Sequence, residues 1–491
     1  MPSVEWYTLA VASFASLGTF LYGYDTGIVT TTIAHQSWVD YMNHPNTALV
    51  GAVGSIYIAG EALGAFSQIL IADALGRLRF MQFACIVVTI GATLQTASVN
   101  FGMFLAGRII SGFAVGALSG TVPLYLVEIS PPKNRGLIGG LSGVGLSMGT
   151  MVSNWVGFAC GYASFGPVQW RLPLALQLPW GIIMFIGLAT FMPNSPRELI
   201  YKNKIDDARR TFATIRPDLQ PHELPQEFSL MHAQIEYERE REIKSYREIF
   251  RLYRHRVLVA VSVQVLTALT GVNVIQYYQT ILYEDLGIDA TSRLALSAVW
   301  GTCAFLSNAI CISFLPDRIG RRRILMLGLS LIIVTEIYAA IMQLKFQNSP
   351  SRVGKGFAVA GIFFFVVCYY GTINSTTWLY GSEVLPISVR SRVMGLSATA
   401  HYAVNVGITE AGPTAFARIG QNYYYVFVAC CVVYIFLVYF YYPETNQKTL
   451  EQIAAAFGDR VVDVDKPYVE TEGAAFHKRD DAADADSTEK P

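Results

Sequence analysis

Long apolar stretches alternate with short polar stretches along almost the whole chain. A helix that crosses the roughly 30 Å hydrocarbon core of a bilayer needs about 20 mostly apolar residues. Twelve stretches reach that length, so the pattern predicts an all-α membrane protein with twelve spans. The predicted spans are 7–32, 48–71, 80–99, 102–126, 137–160, 172–192, 257–283, 294–315, 323–344, 356–379, 393–415 and 423–442.

The polar segments divide the chain into two halves, a linker and a tail. Residues 1–192 and 257–442 each hold six predicted spans, and 193–256 is a charged linker. The linker sequences DDARRTF and QIEYEREREIK are typical of short amphipathic helices outside the membrane. The tail, 443–491, becomes acidic and rich in Ala and Asp, which predicts that it is largely disordered.

Composition narrows the possible classes of protein. Apolar residues make up 53% of the chain and charged residues only 15%, against about 25% in soluble domains. The formal net charge is zero, which argues against a nucleic-acid-binding protein. The seven cysteines lie in apolar stretches without the spacing of a metal site or a disulfide framework. We therefore expect no metal and no cofactor.

The distribution of Lys and Arg predicts the orientation. The linker and the loops LGRLR, PPKNRG and DRIGRRR fall on one side of the predicted membrane, whereas loop 33–47 on the other side has no Lys or Arg. Because cytoplasmic loops carry the excess of Lys and Arg, both termini are expected in the cytoplasm. Loop 345–355 is the exception, with three basic residues on the outer side. The first apolar stretch follows a segment without basic residues and is interpreted as a retained helix, not a cleaved signal peptide.

Two motifs occur once in each half. The pattern Asp-x-x-Gly-Arg follows the second and eighth spans, and a Glu with an Arg seven residues later follows the fourth and tenth. The residues concerned are Asp73, Arg77, Glu128 and Arg135 in the first half and Asp317, Arg321, Glu383 and Arg390 in the second. Matched motifs in matched loops indicate an internal duplication, an arrangement that secondary transporters use for alternating access.

Nine sequence motifs, three of which contain the duplicated residues, carry a resemblance to a known family. They are GYDTG, GRIISGFAVG, PLYLVEISPPKNRG, WRLPLALQ, PNSPREL, TGVNVIQYY, DRIGRRR, WLYGSEVLPISVRS and PETNQKTLEQI, in this order. Over nearly all of residues 15–457 the chain resembles the sugar porters of the major facilitator superfamily, of the type abundant in fungi. The resemblance implies the major facilitator fold with two pseudo-symmetric six-helix halves, and uniport or proton symport of sugars and polyols.

The resemblance also implies roles for charged residues. Asp25 matches the proton-coupling acid of the family's symporters, and Arg108 matches its partner. At 1.5 Å per residue, Asp25 lies about 27 Å along the first span and Arg108 about 9 Å into the fourth from the opposite side, so both reach a similar depth. A purely structural ion pair is the alternative. The eight duplicated loop residues match the family's conformational latch, and ordinary topology signalling is the alternative there.

The predicted substrate cavity departs from the family pattern. Gly143 stands where the family's fifth span has a Gln, and two glutamines of the seventh span are replaced. The remaining candidates for substrate contact are Gln264, Asn273, Tyr277, Tyr278, Trp378, His401 and Asn405. His401 has the alternative of a neutral side chain hydrogen-bonded between helices. Glu61 and Glu410 also fall within spans. For each of them three interpretations are open: it lines the cavity, it pairs inside the bundle, or it lies near a helix end.

These observations lead to one functional prediction with open alternatives. The prediction is a monomeric secondary active transporter in the plasma membrane that moves its small-molecule substrate, a hexose, pentose, polyol or sugar acid, by proton symport. The missing glutamines keep open a carrier of a non-sugar metabolite on the same scaffold. A transporter-like nutrient sensor is a further alternative, although sensors of the family usually have longer tails. No arrangement typical of an enzyme is visible.

Overall fold

The described part of the chain is helical throughout and holds no β-strand. A computed structural model describes residues 6–131, 134–217, 219–220, 222–240, 246–448, 452–453, 455 and 457. The helices of the first half and linker are α1 (Trp6–Ala15), α2 (Leu17–Thr32), α3 (Gln36–Tyr41), α4 (Thr47–Leu75), α5 (Arg77–Thr96), α6 (Phe101–Ile129), α7 (Arg135–Cys160), α8 (Val168–Ala175), α9 (Leu178–Thr190), α10 (Pro196–Tyr201), α11 (Ile205–Ile215) and α12 (Glu223–Glu240). Those of the second half are α13 (Tyr246–Leu269), α14 (Val272–Asp285), α15 (Ala290–Phe314), α16 (Pro316–Ile319), α17 (Arg321–Phe346), α18 (Arg352–Cys368), α19 (Asn374–Glu383), α20 (Ile387–Ile419) and α21 (Tyr424–Tyr441).

Twelve helical segments correspond to the predicted spans. Ten of them, within the described residues, are long and apolar enough on their own to cross a membrane. The first segment is divided into α1 and α2, which are too short singly, and the eleventh, α20, carries more polar residues. The prediction of an all-α fold with two six-helix halves is confirmed.

Four predicted spans are broken rather than continuous. The first is interrupted at Ser16, and the sixth is divided between α8 and α9. The seventh breaks at Gly271, whose φ of +72° is strained for any residue with a side chain. The tenth holds a π-helical turn, Tyr369–Ile373, between α18 and α19. Hydrophobicity alone carries no signal for such local changes in backbone geometry.

The two halves meet along two equivalent pairs of helices. Helix α4 packs against α20, and α7 packs against α15. The duplicated motifs relate α4 to α15 and α7 to α20, so the two contacts are related by the same pseudo-symmetry. Within the first half, α4 approaches α6 so closely that a Cβ on Gly64 would overlap the carbonyl oxygen of Phe113.

The linker forms a small helical layer at one end of the bundle, which we call the linker end. Helices α10, α11 and α12 share an apolar cluster that includes Leu199, Phe212, Phe228 and Met231. Helix α13 begins at Tyr246, about ten residues before the predicted start of its span. Residues 458–491, the main part of the predicted disordered tail, lie outside the described residues.

Candidate functional site

A polar and aromatic cavity lies between the two halves. The space between its lining residues is about 420 Å³, a volume that includes the opening to solvent. Helices α2 and α7 contribute one wall, and α13, α14, α19, α20 and the π-helical turn contribute the other. The lining residues are Tyr22, Gly23, Thr26, Leu146, Thr150, Thr267, Val272, Asn273, Gln276, Tyr369, Tyr370, Asn374, Trp378 and His401. Amides and hydroxyls beside aromatic rings suit a small polar solute, which needs hydrogen bonds and a flat apolar surface.

Three of the seven predicted substrate contacts line this cavity. They are Asn273, Trp378 and His401. The Nδ1 atom of His401 lies 2.9 Å from the carbonyl oxygen of Gln264. A carbonyl only accepts, so Nδ1 carries the hydrogen and Nε2 of the neutral ring is an acceptor. The His401 ring meets the Trp378 ring edge-on, with centroids 6.0 Å apart.

The other four predicted contacts lie outside the described cavity lining. Gln264 donates its side-chain amide to the carbonyl of Thr377 at 3.3 Å. Tyr278 donates to the carbonyl of Thr409 at 2.9 Å, and Asn405 accepts from the Thr409 hydroxyl at 3.0 Å. Tyr277 is buried close to Glu61. In this conformation Gln264 joins α13 to α19 and Tyr278 joins α14 to α20, whereas the Asn405 bond lies within α20.

Several lining residues were not among the sequence candidates. Tyr22 and Thr26 are one helical turn apart, and they precede and follow Asp25 in the sequence. Their position beside Asp25 is the sequence signal that could have identified them. Tyr369 and Tyr370 reach the cavity from the π-helical turn, which places two consecutive tyrosines at the same site. Such turns are frequent at functional sites, but the sequence gives no simple pattern for them.

Gly143, which replaces an expected glutamine, lies against polar residues of α19. The side-chain amide of Asn374 donates to the Gly143 carbonyl at 3.2 Å, and the Ser375 hydroxyl donates to the Gly140 carbonyl at 3.1 Å. A Cβ on Gly143 would collide with the Ser375 side chain. The space of the expected glutamine is therefore occupied from the other half.

Asp25 and Arg108 form a fully buried ion pair near the cavity. The Arg108 Nη1 to Asp25 Oδ1 distance is 2.9 Å, and neither side chain is exposed. The guanidinium also stacks on the ring of Tyr57, with 3.8 Å to the centroid, and its Nε donates to the Val53 carbonyl at 3.4 Å. Because the residue after Asp25 is Thr26, which lines the cavity, the pair is directly connected to the candidate binding site.

The duplicated motifs come together at the linker end, separately in each half. Arg77 bonds Asp73 at 2.9 Å and Glu128 at 3.5 Å. Arg321 bonds Asp317 at 3.1 Å and Glu383 at 3.0 Å. In both halves the arginine of the first motif thus joins the acids of both motifs.

Further contacts at the linker end connect the halves. Asp317 accepts from the backbone N–H groups of Gly136 at 3.0 Å and Leu137 at 3.1 Å. The equivalent Asp73 lies 3.6 Å from Arg392 of the second half. Arg135 donates to the carbonyl of Lys448 at 2.8 Å. These contacts hold the linker end closed.

Arg390, Glu410 and Glu61 lie in three different environments. The Arg390 guanidinium donates to the carbonyl of Leu385 at 2.8 and 3.0 Å. Glu410 is exposed on the surface of α20 and does not belong to the described cavity lining. Glu61, the other acid within a span, is buried.

Comparison with known proteins gives consistent matches. The family model described as sugar (and other) transporter matches residues 11–457. The MFS-type transporter criB of Aspergillus cristatus is 33% identical over 460 residues, which cover 92% of this chain and 93% of that protein. The low-affinity glucose transporter HXT1 of Saccharomyces cerevisiae is 28% identical over 91% of this chain and 81% of its own length. The proton:xylose symporter XylE bound to 6-bromo-6-deoxy-D-glucose superposes with a TM-score of 0.82 at 18% identity, covering 93% of this chain and all of that chain.

Proposed function

Because the chain belongs to the sugar (and other) transporter family, we propose that it is a proton-coupled secondary transporter of a sugar, polyol or sugar acid. The observation that carries the proposal is the buried Asp25–Arg108 ion pair beside a cavity of amides, hydroxyls and aromatic rings. Charged residues inside a membrane bundle are costly, and those that occur there mark ion and proton pathways.

Proton coupling follows from the geometry of the pair. Arg108 stabilises the ionised form of Asp25 while the two are in contact, so the acid binds a proton when the arginine moves away. Helix α2, which carries Asp25, lines the cavity, and α6, which carries Arg108, packs against α2. A substrate that draws α2 inward at Tyr22 and Thr26 displaces Asp25 with it, and this links substrate binding to protonation.

The contacts at the linker end supply the conformational step. Asp317 and Asp73 hold the halves together while the cavity is closed toward the linker, and breaking these bonds opens it. In the proposed orientation the linker end and both termini face the cytoplasm, and the protein resides in the plasma membrane. The described conformation is then closed to the cytoplasm.

A second candidate is a carrier of a non-sugar metabolite. The observation that favours it is at Gly143, where the expected glutamine is missing. The side-chain amide of Asn374 beside it already donates to the Gly143 carbonyl. The cavity therefore offers fewer amides than the family pattern implies, beside the aromatic rings of Tyr22, Tyr369, Tyr370 and Trp378. An aromatic or heterocyclic solute with few hydroxyls suits such a lining.

Uptake of labelled solutes into yeast that lacks its own hexose transporters tests the proposal. The panel contains hexoses, pentoses, polyols, sugar acids and aromatic metabolites. Cells that express the wild-type protein are compared with cells that express Asp25→Asn. We expect uphill accumulation of one polyhydroxylated class, abolished by an uncoupler. The Asp25→Asn variant retains exchange without accumulation because the amide imitates the protonated acid. Accumulation that persists in this variant contradicts coupling at Asp25, and uptake confined to aromatic solutes favours the second candidate.

A further inference from the structure

Glu61 is a second acid buried beside the Asp25–Arg108 pair. It lies on α4, one turn after Tyr57, and its exposed fraction is 1%. The backbone of Glu61 packs directly on α6, where a Cβ on Gly116 would lie 2.6 Å from the Glu61 Cα. Helix α4 is therefore in close contact with α6 at this point, and the carboxyl group is buried inside the bundle.

The surroundings of Glu61 contain one cation. The charged or titratable groups that face it from the neighbouring helices are Asp25 and Tyr22 of α2, Tyr57 of α4, Arg108 of α6, Tyr277 of α14 and Tyr402 of α20. Within the described part of the chain, Arg108 is thus the single positive group shared by two carboxyl groups. Its contact at 2.9 Å is with Asp25, and Glu61 lies farther away.

Several hydrogen-bonding atoms of this cluster are unused. Asp25 Oδ2, Glu61 Oε1 and Arg108 Nη2 are buried without a hydrogen-bond partner among the described residues, and the Tyr57 hydroxyl faces both acids. Buried polar atoms normally find partners, so unpaired ones beside a charged pair call for an explanation. Arg108 therefore has one amino group committed to Asp25 and one open for a second acceptor.

Charge balance determines the protonation of the cluster. Two ionised carboxylates with one guanidinium would leave an uncompensated negative charge in the bilayer interior, which is unfavourable. We propose that Glu61 is a second proton-carrying carboxyl group, which holds a proton in this conformation and competes with Asp25 for Arg108. This inference rests on the proposed proton coupling at Asp25.

The exchange between the two acids conserves charge. When Arg108 turns from Asp25 to Glu61, the O–H bond of Glu61 breaks, and its proton forms an O–H bond on Asp25. One carboxylate remains ionised and paired at every stage. Tyr22 faces Glu61 and also lines the cavity, so the second acid connects the ion pair with the substrate site.

Infrared spectroscopy of the purified full-length protein in liposomes tests the proposal without a substrate. The carbonyl-stretch band of neutral carboxyl groups is measured at neutral pH for wild type, Glu61→Gln, Asp25→Asn and Glu336→Gln. Glu336 is the matched control because it is fully buried in α17 and both carboxyl oxygens lack partners, far in sequence from the cluster. We expect Glu61→Gln to remove one component of the band and Glu336→Gln to remove a different one.

Asp25→Asn provides the decisive comparison. In this variant Glu61 is the sole carboxyl partner for Arg108 and ionises, so the component lost in Glu61→Gln disappears in Asp25→Asn as well. A component that persists in Asp25→Asn overturns the proposal, because Glu61 is then a permanently neutral structural group. An unchanged spectrum of Glu61→Gln overturns it too, since Glu61 is then ionised. If Glu61→Gln fails to fold, the Asp25→Asn spectrum alone decides, because ionised Asp25 contributes no neutral band.

The spectra separate this inference from the proposed function. Loss of the neutral band in Asp25→Asn together with unimpaired uphill transport by that variant supports the shared proton but contradicts coupling at Asp25. The reverse pattern, abolished accumulation with an unchanged neutral band, supports coupling at Asp25 and overturns the role of Glu61.

Discussion

The side-chain amide of Asn374 donates to the backbone carbonyl of Gly143 across the boundary between the two halves, at 3.2 Å. The adjacent Ser375 fills the space beside the missing Gly143 side chain. Ser375 also bonds the amide oxygen of Asn308 at 3.0 Å, so α7, α15 and α19 form one continuous polar contact. Gly143 in span five and the polar residues Asn374 and Ser375 in span ten are therefore two parts of one packing contact.

This packing makes Gly143 intolerant of any side chain. We predict that Gly143→Ala lowers the amount of folded protein and costs about 1–3 kcal/mol, the usual penalty of overpacking. Gly143→Gln is expected to be worse, although it restores the residue that the family resemblance implies. Fluorescence-detected size-exclusion chromatography after a heat step measures both.

The control for this prediction is Gly407→Ala on α20. A Cβ on Gly407 meets no atom within 4 Å, so this substitution is expected to leave the melting temperature unchanged or slightly raised. Equal stability of Gly143→Ala and Gly407→Ala would contradict the packing described for α7 and α19.

Hydrophobic runs were sufficient to predict the spans but not their interruptions. Length and apolarity specify which segments cross the membrane, because the bilayer imposes a minimum length. The break at Gly271 and the π-helical turn at Tyr369 depend on backbone geometry at single residues, which the average over a span conceals. The turn places Tyr370 at the cavity and leaves its carbonyl to accept from Asn308 at 2.8 Å.

Charged residues were easier to locate from the sequence than cavity residues. A buried charge needs an opposite charge, so Asp25 had few possible partners and the pairing with Arg108 followed from depth. Polar neutral residues in a span have many possible partners, in backbone or side chains. Tyr278 and Asn405 accordingly bond Thr409 instead of lining the cavity, and the sequence contained no signal to separate them from Asn273.

His401 lies where it can contact a substrate directly. We predict that His401→Leu raises the apparent KM of uptake about 5- to 150-fold or abolishes it, as expected for the loss of one buried hydrogen bond of about 1–3 kcal/mol. The Nε2 acceptor is lost, whereas the apolar side chain still packs against Trp378. Initial rates across a range of concentrations of the accumulated solute, normalised to surface expression, measure the effect.

The amide variants separate substrate contact from packing. His401→Asn and His401→Gln retain an acceptor and are expected to transport with a smaller change in KM and a shift in preference toward hexoses. Leu396→Ala is the control, because Leu396 is an exposed residue of α20 that does not belong to the described cavity lining. Unchanged kinetics in His401→Leu would identify His401 as a packing residue.

Asp317 holds the linker end closed through the start of α7. We predict that Asp317→Asn opens this end more often, because an amide oxygen binds two backbone N–H groups more weakly than a carboxylate does. Loss of charge-assisted bonds of about 1.5–3 kcal/mol corresponds to roughly a 10- to 150-fold rise in the open population. Ser391→Cys reports the opening, since Ser391 is buried in the closed contact between α4 and α20 and its carbonyl accepts from Gln68.

The rate of maleimide labelling at position 391 measures this opening. Glu284→Gln is the matched control, because the exposed Glu284 pairs with the half-buried Arg293 away from the linker end. Labelling is expected to accelerate in Asp317→Asn and to stay at the wild-type rate in Glu284→Gln. The same rate in all three proteins would mean that the Asp317 contact does not limit opening.

The orientation of the linker end can be tested with two single cysteines. Thr214 in α11 and Asn43 in the loop after α3 are both exposed. In the predicted topology the linker, which holds Thr214, and the first loop, which holds Asn43, lie on opposite sides of the membrane. The basic loops favour a cytoplasmic linker. We therefore predict that an impermeant maleimide labels Asn43→Cys in intact cells, whereas Thr214→Cys is labelled only after the cells are opened. The seven native cysteines are buried or half-buried, so the wild-type protein gives a low background.

Labelling of Thr214→Cys in intact cells would reverse the orientation and place the Asp317 contact on the outer face. The described conformation would then be closed to the outside, and Asp317→Asn would expose Ser391→Cys to the impermeant reagent.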